Sequence, residues 1–146
     1  MADKFNFAEV KRKIELTKKQ LPVILAKETE NAFVENFKQS GFFGKTWQVP
    51  QRRKPGTNAY KYPKKRGLSR RTKPTLTMSG ILRRAVNNSI RVKTFDLIKL
   101  VVSLPYAARH NDGLDGMPKR QFMGDHPELT KKQKAIITKF FDKVWA

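Results

Sequence analysis

Ser89-Ile90-Arg91-Val92-Lys93-Thr94-Phe95-Asp96-Leu97-Ile98-Lys99-Leu100-Val101-Val102-Ser103-Leu104 decides the fold class. Ile90 and Val92 alternate with Arg91 and Lys93, which is the period of a half-buried strand. Thr94-Phe95-Asp96 supplies a turn, and the near-continuous apolar run over 97–104 predicts a second strand buried on both faces. Every other regular stretch reads as helix, so this hairpin makes the chain α+β rather than all-α.

Just before the hairpin, Ser79 is placed to cap a short helix whose Ile81, Leu82, Ala85 and Val86 share one side. Towards the N-terminus, Phe7, Val10, Ile14, Leu21 and Leu25 fall at helical steps, with Pro22 interrupting them. A proline is harmless in a first turn and disruptive inside a helix, which predicts helices over 6–20 and 22–39, or one kinked rod. The second buries Leu25, Ala32, Phe33 and Phe37 and stops at Gly41. After the hairpin, 105–127 is rich in turn residues, Asn111-Asp112-Gly113 being the tightest point. Thr130 and Gln133 have capping-box spacing, and Ile136, Ile137, Phe140, Phe141 and Val144 form the stripe of a closing helix.

Residues 41–78 fit none of these patterns. Pro50, Pro55, Pro63 and Pro74, with Gly41, Gly44, Gly56 and Gly67, break any long helix or central strand, so an extended arm is expected here. The whole is expected to be one domain over 1–146: N-terminal helices (6–39), a long basic arm (41–78), then a short helix, a small mainly antiparallel β-sheet, a loop and a C-terminal helix (79–146). A chain of 146 residues with 38% hydrophobic content can bury such a core.

The charge is lopsided. Thirty-two Lys and Arg against 12 Asp and Glu give +20, and 16 of the positive residues fall in 36–95, where no acidic residue occurs. Charges this crowded call for a polyanion or an acidic surface nearby. The arm concentrates them in Arg52, Arg53, Lys54, Lys61, Lys64, Lys65, Arg66, Arg70 and Arg71, interleaved with Trp47, Tyr60 and Tyr62. Three readings stand: a solvated loop, a segment docking on acidic neighbouring subunits with the aromatic residues as anchors, or a DNA-facing arm. On the second and third, the arm is ordered only against its partner.

Several chemistries are excluded. Without cysteine there is no disulfide framework, thiolate zinc site or cysteine nucleophile. His110 and His126 are too few for a histidine-rich metal site. Asp112, Asp115 and Asp125 share a loop without the spacing of a calcium loop, and read as turn residues. No nucleophile elbow, phosphate-binding Walker loop or dinucleotide fingerprint occurs. His110 beside Asp112 is read as a polar loop residue or subunit contact rather than part of a triad. No enzyme activity, cofactor or metal is expected. The opening MADKFNFAEVKRK lacks the apolar stretch of a signal peptide, and no apolar run is long enough for a membrane span, so an intracellular chain without membrane contact is expected.

Two stretches carry a resemblance. The first is Leu76-Thr77-Met78-Ser79-Gly80-Ile81-Leu82, running to Ser89-Ile90. The second is Tyr106-Ala107-Ala108-Arg109-His110-Asn111-Asp112-Gly113, followed by Pro118-Lys119-Arg120-Gln121-Phe122-Met123-Gly124. In order and spacing these resemble the virion-morphogenesis or tail-completion proteins of tailed bacteriophages, as does Gly41-Phe42-Phe43-Gly44-Lys45-Thr46-Trp47 after an N-terminal helix. The chain departs from that pattern at Lys119, where alanine is commoner, and in the very basic arm. The resemblance implies a non-enzymatic subunit of a homo-oligomeric, hexameric ring at the head–tail junction or tail end of a virion, assembled in the host cytoplasm. Its partners would be other neck and tail proteins, with transient contact to genomic DNA. Ser79, Gly80, Leu82, Tyr106, Ala107, His110, Gly113, Arg120 and Phe122 would be its structural motif. The alternative is a small basic nucleic-acid-binding protein of ribosomal-protein type.

Overall fold

The computed structural model describes residues 4–63 and 69–146. The fold is α+β, with eleven short and long elements among the described residues. They are α1 (Phe7–Gln39), a hairpin of β1 (Gly41–Phe42) and β2 (Lys45–Thr46), a 3-10 turn (Gln51–Arg53), α2 (Asn58–Lys61), α3 (Ser69–Thr72), α4 (Ile81–Val86), a hairpin of β3 (Ile90–Lys93) and β4 (Ile98–Leu100), α5 (Ala107–Asp112) and α6 (Pro127–Trp145). They form two compact units, each assembled from stretches far apart in sequence.

One unit comprises 4–30, 90–101 and 125–146. Its part of α1 continues through Pro22, so the two expected helices are one. Proline removes one amide donor from the ladder, a loss that packing of the helix tolerates here, since Leu21, Pro22 and Ala26 are all buried. Leu129 and Val144 of α6 are the buried members of the expected stripe's face, whereas Phe141 is exposed. Helix α6 also starts earlier than the expected capping box. His126 caps it, its Nδ1 accepting from the Glu128 amide at 3.2 Å, with Pro127 in the first turn. Gln133, freed from capping, donates through Nε2 to Thr29 Oγ1 at 2.9 Å. Strands β3 and β4 pair antiparallel with a register shift between Ile90 and Val92. The second strand is shorter than expected and alternates, Lys99 lying exposed between Ile98 and Leu100. An isolated two-stranded ribbon has too little cover to bury both faces of a strand.

The other unit comprises 31–89 and 102–124, apart from 64–68. Its centre is Phe37, edge-on to Trp47 at 5.6 Å and tilted against Phe122 at 5.3 Å. Ala32, Phe33, Phe42, Leu82, Val86 and Ala107 are buried with it. The C-terminal end of α1 turns at Ser40, which takes φ 49°, rather than at Gly41. Gly41 serves a different need: a Cβ there would stand 2.7 Å from the Lys45 carbonyl oxygen across the hairpin. Phe43 and Gly44 both have positive φ, the mirror-image turn that matches strand twist in a two-residue hairpin.

Candidate functional site

The described parts of the expected extended arm fold on their own chain. Beyond the β1–β2 hairpin, Thr57 caps α2, its Oγ1 accepting from the Tyr60 amide at 3.3 Å. Arg71 donates through Nε to the Tyr60 carbonyl at 2.8 Å and lies over the Tyr60 ring, 4.3 Å from its centre. Arg52 is the organising residue, 8% exposed. Its Nη1 donates to the carbonyls of Arg70 at 2.9 Å and Lys73 at 2.8 Å, and its Nη2 to that of Pro74 at 2.8 Å. A segment rich in proline has spare carbonyls, and one guanidinium fork collects three of them.

Arg52, expected to face a partner, is therefore turned inward by these bonds. Trp47, expected as an interface anchor, is 5% exposed in the chain's own core, because Phe37 receives its ring and the Gln121 carbonyl its indole N–H at 2.8 Å. Arg53 and Lys61 are exposed, Lys54 and Arg70 half-buried, and Tyr62 is 73% exposed. Lys64, Lys65 and Arg66 lie outside the described residues.

The motif residues from 79 to 122 converge. Tyr106, which precedes α5, and His110 within it stand one turn apart, their rings 6.2 Å apart, in a helix where a loop was expected. Gly113 ends that helix at φ 70°, in the left-handed conformation that favours glycine. The chain then returns past it, and the Arg120 amide donates to the His110 carbonyl at 2.7 Å. Asn111 Oδ1 accepts from the amides of Phe122 and Met123, both at 3.0 Å, and Asn36 Nδ2 donates to the Phe122 carbonyl at 3.1 Å. These two asparagines were missed as organising residues. Asn36 carried a signal, sharing the helix face of Phe33 and Phe37, where a polar residue needs a partner.

Together these segments wall a cavity of about 250 Å³ lined by Pro50, Arg52, Thr75, Leu76, Met78, Ser79, Leu82, Tyr106, His110 and Arg120. Arg120 is 6% exposed, and its Nε donates to the Gln48 carbonyl at 3.0 Å. Burial pushes its pKa below the ordinary arginine value. Burial, then the charges of Arg53, Arg70 and Arg120, does the same at Arg52. Both guanidinium groups still stay charged at any ordinary pH. Burial, then the Arg120 charge, lowers the pKa of His110, whose buried Nδ1 has no hydrogen-bond partner. Ser79 donates no full cap to α4; its Oγ accepts from the Ile81 amide at 3.5 Å, while Gly80 is the left-handed residue preceding the helix.

Among the described residues no cluster of acidic and histidine side chains is set to hold a metal ion. Asp115 instead pairs with Arg109 at 3.0 Å, and Asp112 Oδ1 accepts from Asn111 at 3.0 Å. No described helix is long and apolar enough to cross a membrane. Compared with family models, curated proteins and solved structures, the chain matches none of them.

Proposed function

We propose that this protein is a structural subunit of a tailed-phage virion, which completes the tail and joins it to the head as part of a homo-oligomeric, hexameric ring. The observation that supports this reading is the convergence of its motif. Leu82, Tyr106, His110 and Arg120, from segments well separated in sequence, line one cavity, and Ala107 and Phe122 are buried in the same unit. Such a constellation is what a motif of scaffold residues requires: Gly113 and Asn111 shape the chain's return, and Phe122 closes the core. Surface aromatics then remain for other subunits. Phe7, Trp145 and Tyr62 are all largely exposed, and large exposed apolar side chains suit subunit contacts.

Light scattering of the purified protein, with electron microscopy of the same sample, tests this. Closed rings of identical subunits are the expected result, and removal of the gene should leave filled heads and separate tails. A protein that stays monomeric at all concentrations, with particles still joined in its absence, overturns the proposal. Exposed Arg53, Lys61 and Tyr62 favour a second reading, direct contact with nucleic acid. Tight monomeric binding to single strands would select it.

A further inference from the structure

We propose that the cavity between Arg52, His110 and Arg120 is a binding site for a small tetrahedral oxyanion of the phosphate class, held as a free ion. This stands whether or not the chain assembles into a ring.

The first argument is charge. Two arginines, each with little of its surface exposed, line one cavity, and no Asp or Glu is among its lining residues. A buried cation is costly unless an anion or a full set of acceptors compensates it. Arg52 meets much of that cost with its three carbonyl acceptors, which also fix the direction of its fork. Arg120 has one acceptor among the described residues, the Gln48 carbonyl at Nε, which leaves its two Nη groups to solvent or to an anion.

The second argument is the imidazole. His110 presents a buried Nδ1 without a partner, at the wall where Arg120 also stands. That nitrogen is enclosed by protein, so the ring would sense an anion in the cavity through its charge rather than by a direct bond. The field of Arg120 that disfavours a second proton on this ring is the field an anion would cancel.

Size and direction select the class. About 250 Å³ lies below the usual range for drug-sized ligands, ~300–1,000 Å³, and fits a small ion with its remaining water. The cationic groups come from two separate segments, the turn at 51–53 and the return at Arg120, rather than from one planar fork. That spread matches the four oxygens of a tetrahedral ion better than the two of a carboxylate.

The test is a titration of the whole protein with inorganic phosphate at fixed ionic strength, sodium chloride balancing it, followed by the ring signals of His110 and His126. Saturable movement of the His110 signals alone is expected, with the His110 pKa rising as the anion offsets the Arg120 charge. Arg120→Lys, which keeps the charge and loses the fork, should weaken phosphate at least tenfold. Lys93→Gln, an exposed change in β3, should leave binding as it is. The proposal is overturned by a linear response, by equal movement of His126, or by an unchanged affinity in Arg120→Lys. Displacement of phosphate by equimolar acetate would overturn the tetrahedral assignment. If Arg120→Lys does not fold, the titration of the unaltered protein decides alone.

Discussion

Trp47 donates its indole N–H to the backbone carbonyl of Gln121 at 2.8 Å, joining the segment after the first hairpin to the segment before α6. The bond lies in the aromatic cluster with Phe37 and Phe122, so one residue supplies both apolar area and a satisfied polar group.

Trp47→Ala is expected to lower stability by about 3–5 kcal/mol, the usual cost of deleting a large buried ring. Trp47→Phe keeps most of the area and loses the bond, at a cost of roughly 1–2 kcal/mol. Chemical denaturation of the two variants checks the order. A surface anchor would show neither loss, so equal stability of all three proteins would return Trp47 to the exterior.

Arg52 and Arg53 are adjacent in sequence and opposite in environment. Arg52→Ala removes a fork holding three carbonyls and is expected to cost about 3 kcal/mol, more than one hydrogen bond to a charged group is usually worth. Arg53→Ala, at an exposed site, should stay within about 0.5 kcal/mol. Limited proteolysis gives a second readout, since cleavage over 51–63 should accelerate in the Arg52 variant only.

These pairs mark how far the sequence was legible. Helices α1, α4 and α6 and the β3–β4 hairpin were readable because their signal is local: apolar spacing, alternation and a turn. Pro22 misled only in dividing α1, since whether a proline ends a helix depends on the packing around it. The arm was not readable. The carbonyls that hold Arg52 lie 18 to 22 residues away, and the partner of Trp47 lies 74 residues away. Nothing local distinguishes Arg52 from Arg53. The Phe43-Gly44 turn also lacks the asparagine or aspartate that usually announces it. For the cavity, the motif named His110 and Arg120, but their meeting with Arg52 is a long-range fact. Helix α5 was hidden because Asn111-Asp112-Gly113 resembles a free turn, whereas the glycine ends a helix.

Gly113 and Gly116 separate two reasons for needing glycine. Both have φ close to 70°, where a side chain is strained by about 1–2 kcal/mol. At Gly116 a Cβ would meet nothing within 4 Å. At Gly113 it would stand 2.9 Å from Lys119 Cβ and 3.0 Å from Lys119 Cα, so backbone must move as well. Gly116→Ala is therefore expected to cost only the strain, and Gly113→Ala clearly more, with Gly113→Val worse again. Thermal melts of the three variants give the ranking; Gly113→Ala melting with Gly116→Ala would mean that the return of the chain at Lys119 is not tight.

His110 gives the protein an acid-side weakness whose sign follows from its environment. Burial first, and the Arg120 charge second, hold its folded-state pKa below the ordinary 6.5. Well above pH 6.5 the ring is neutral folded and unfolded, and it adds no pH dependence. As pH falls through 6.5, the unfolded chain takes up a proton that the folded chain resists. Stability then declines, by at most about 1.4 kcal/mol per pH unit for one proton, until the folded ring also protonates. His110→Gln removes this contribution, so its stability profile between pH 7 and 5 should be flatter than that of the unaltered protein. Parallel denaturation curves at pH 7, 6 and 5 measure the difference. Identical slopes in the two proteins would show that His110 takes up its proton folded as readily as unfolded, and that neither its burial nor the Arg120 charge governs it.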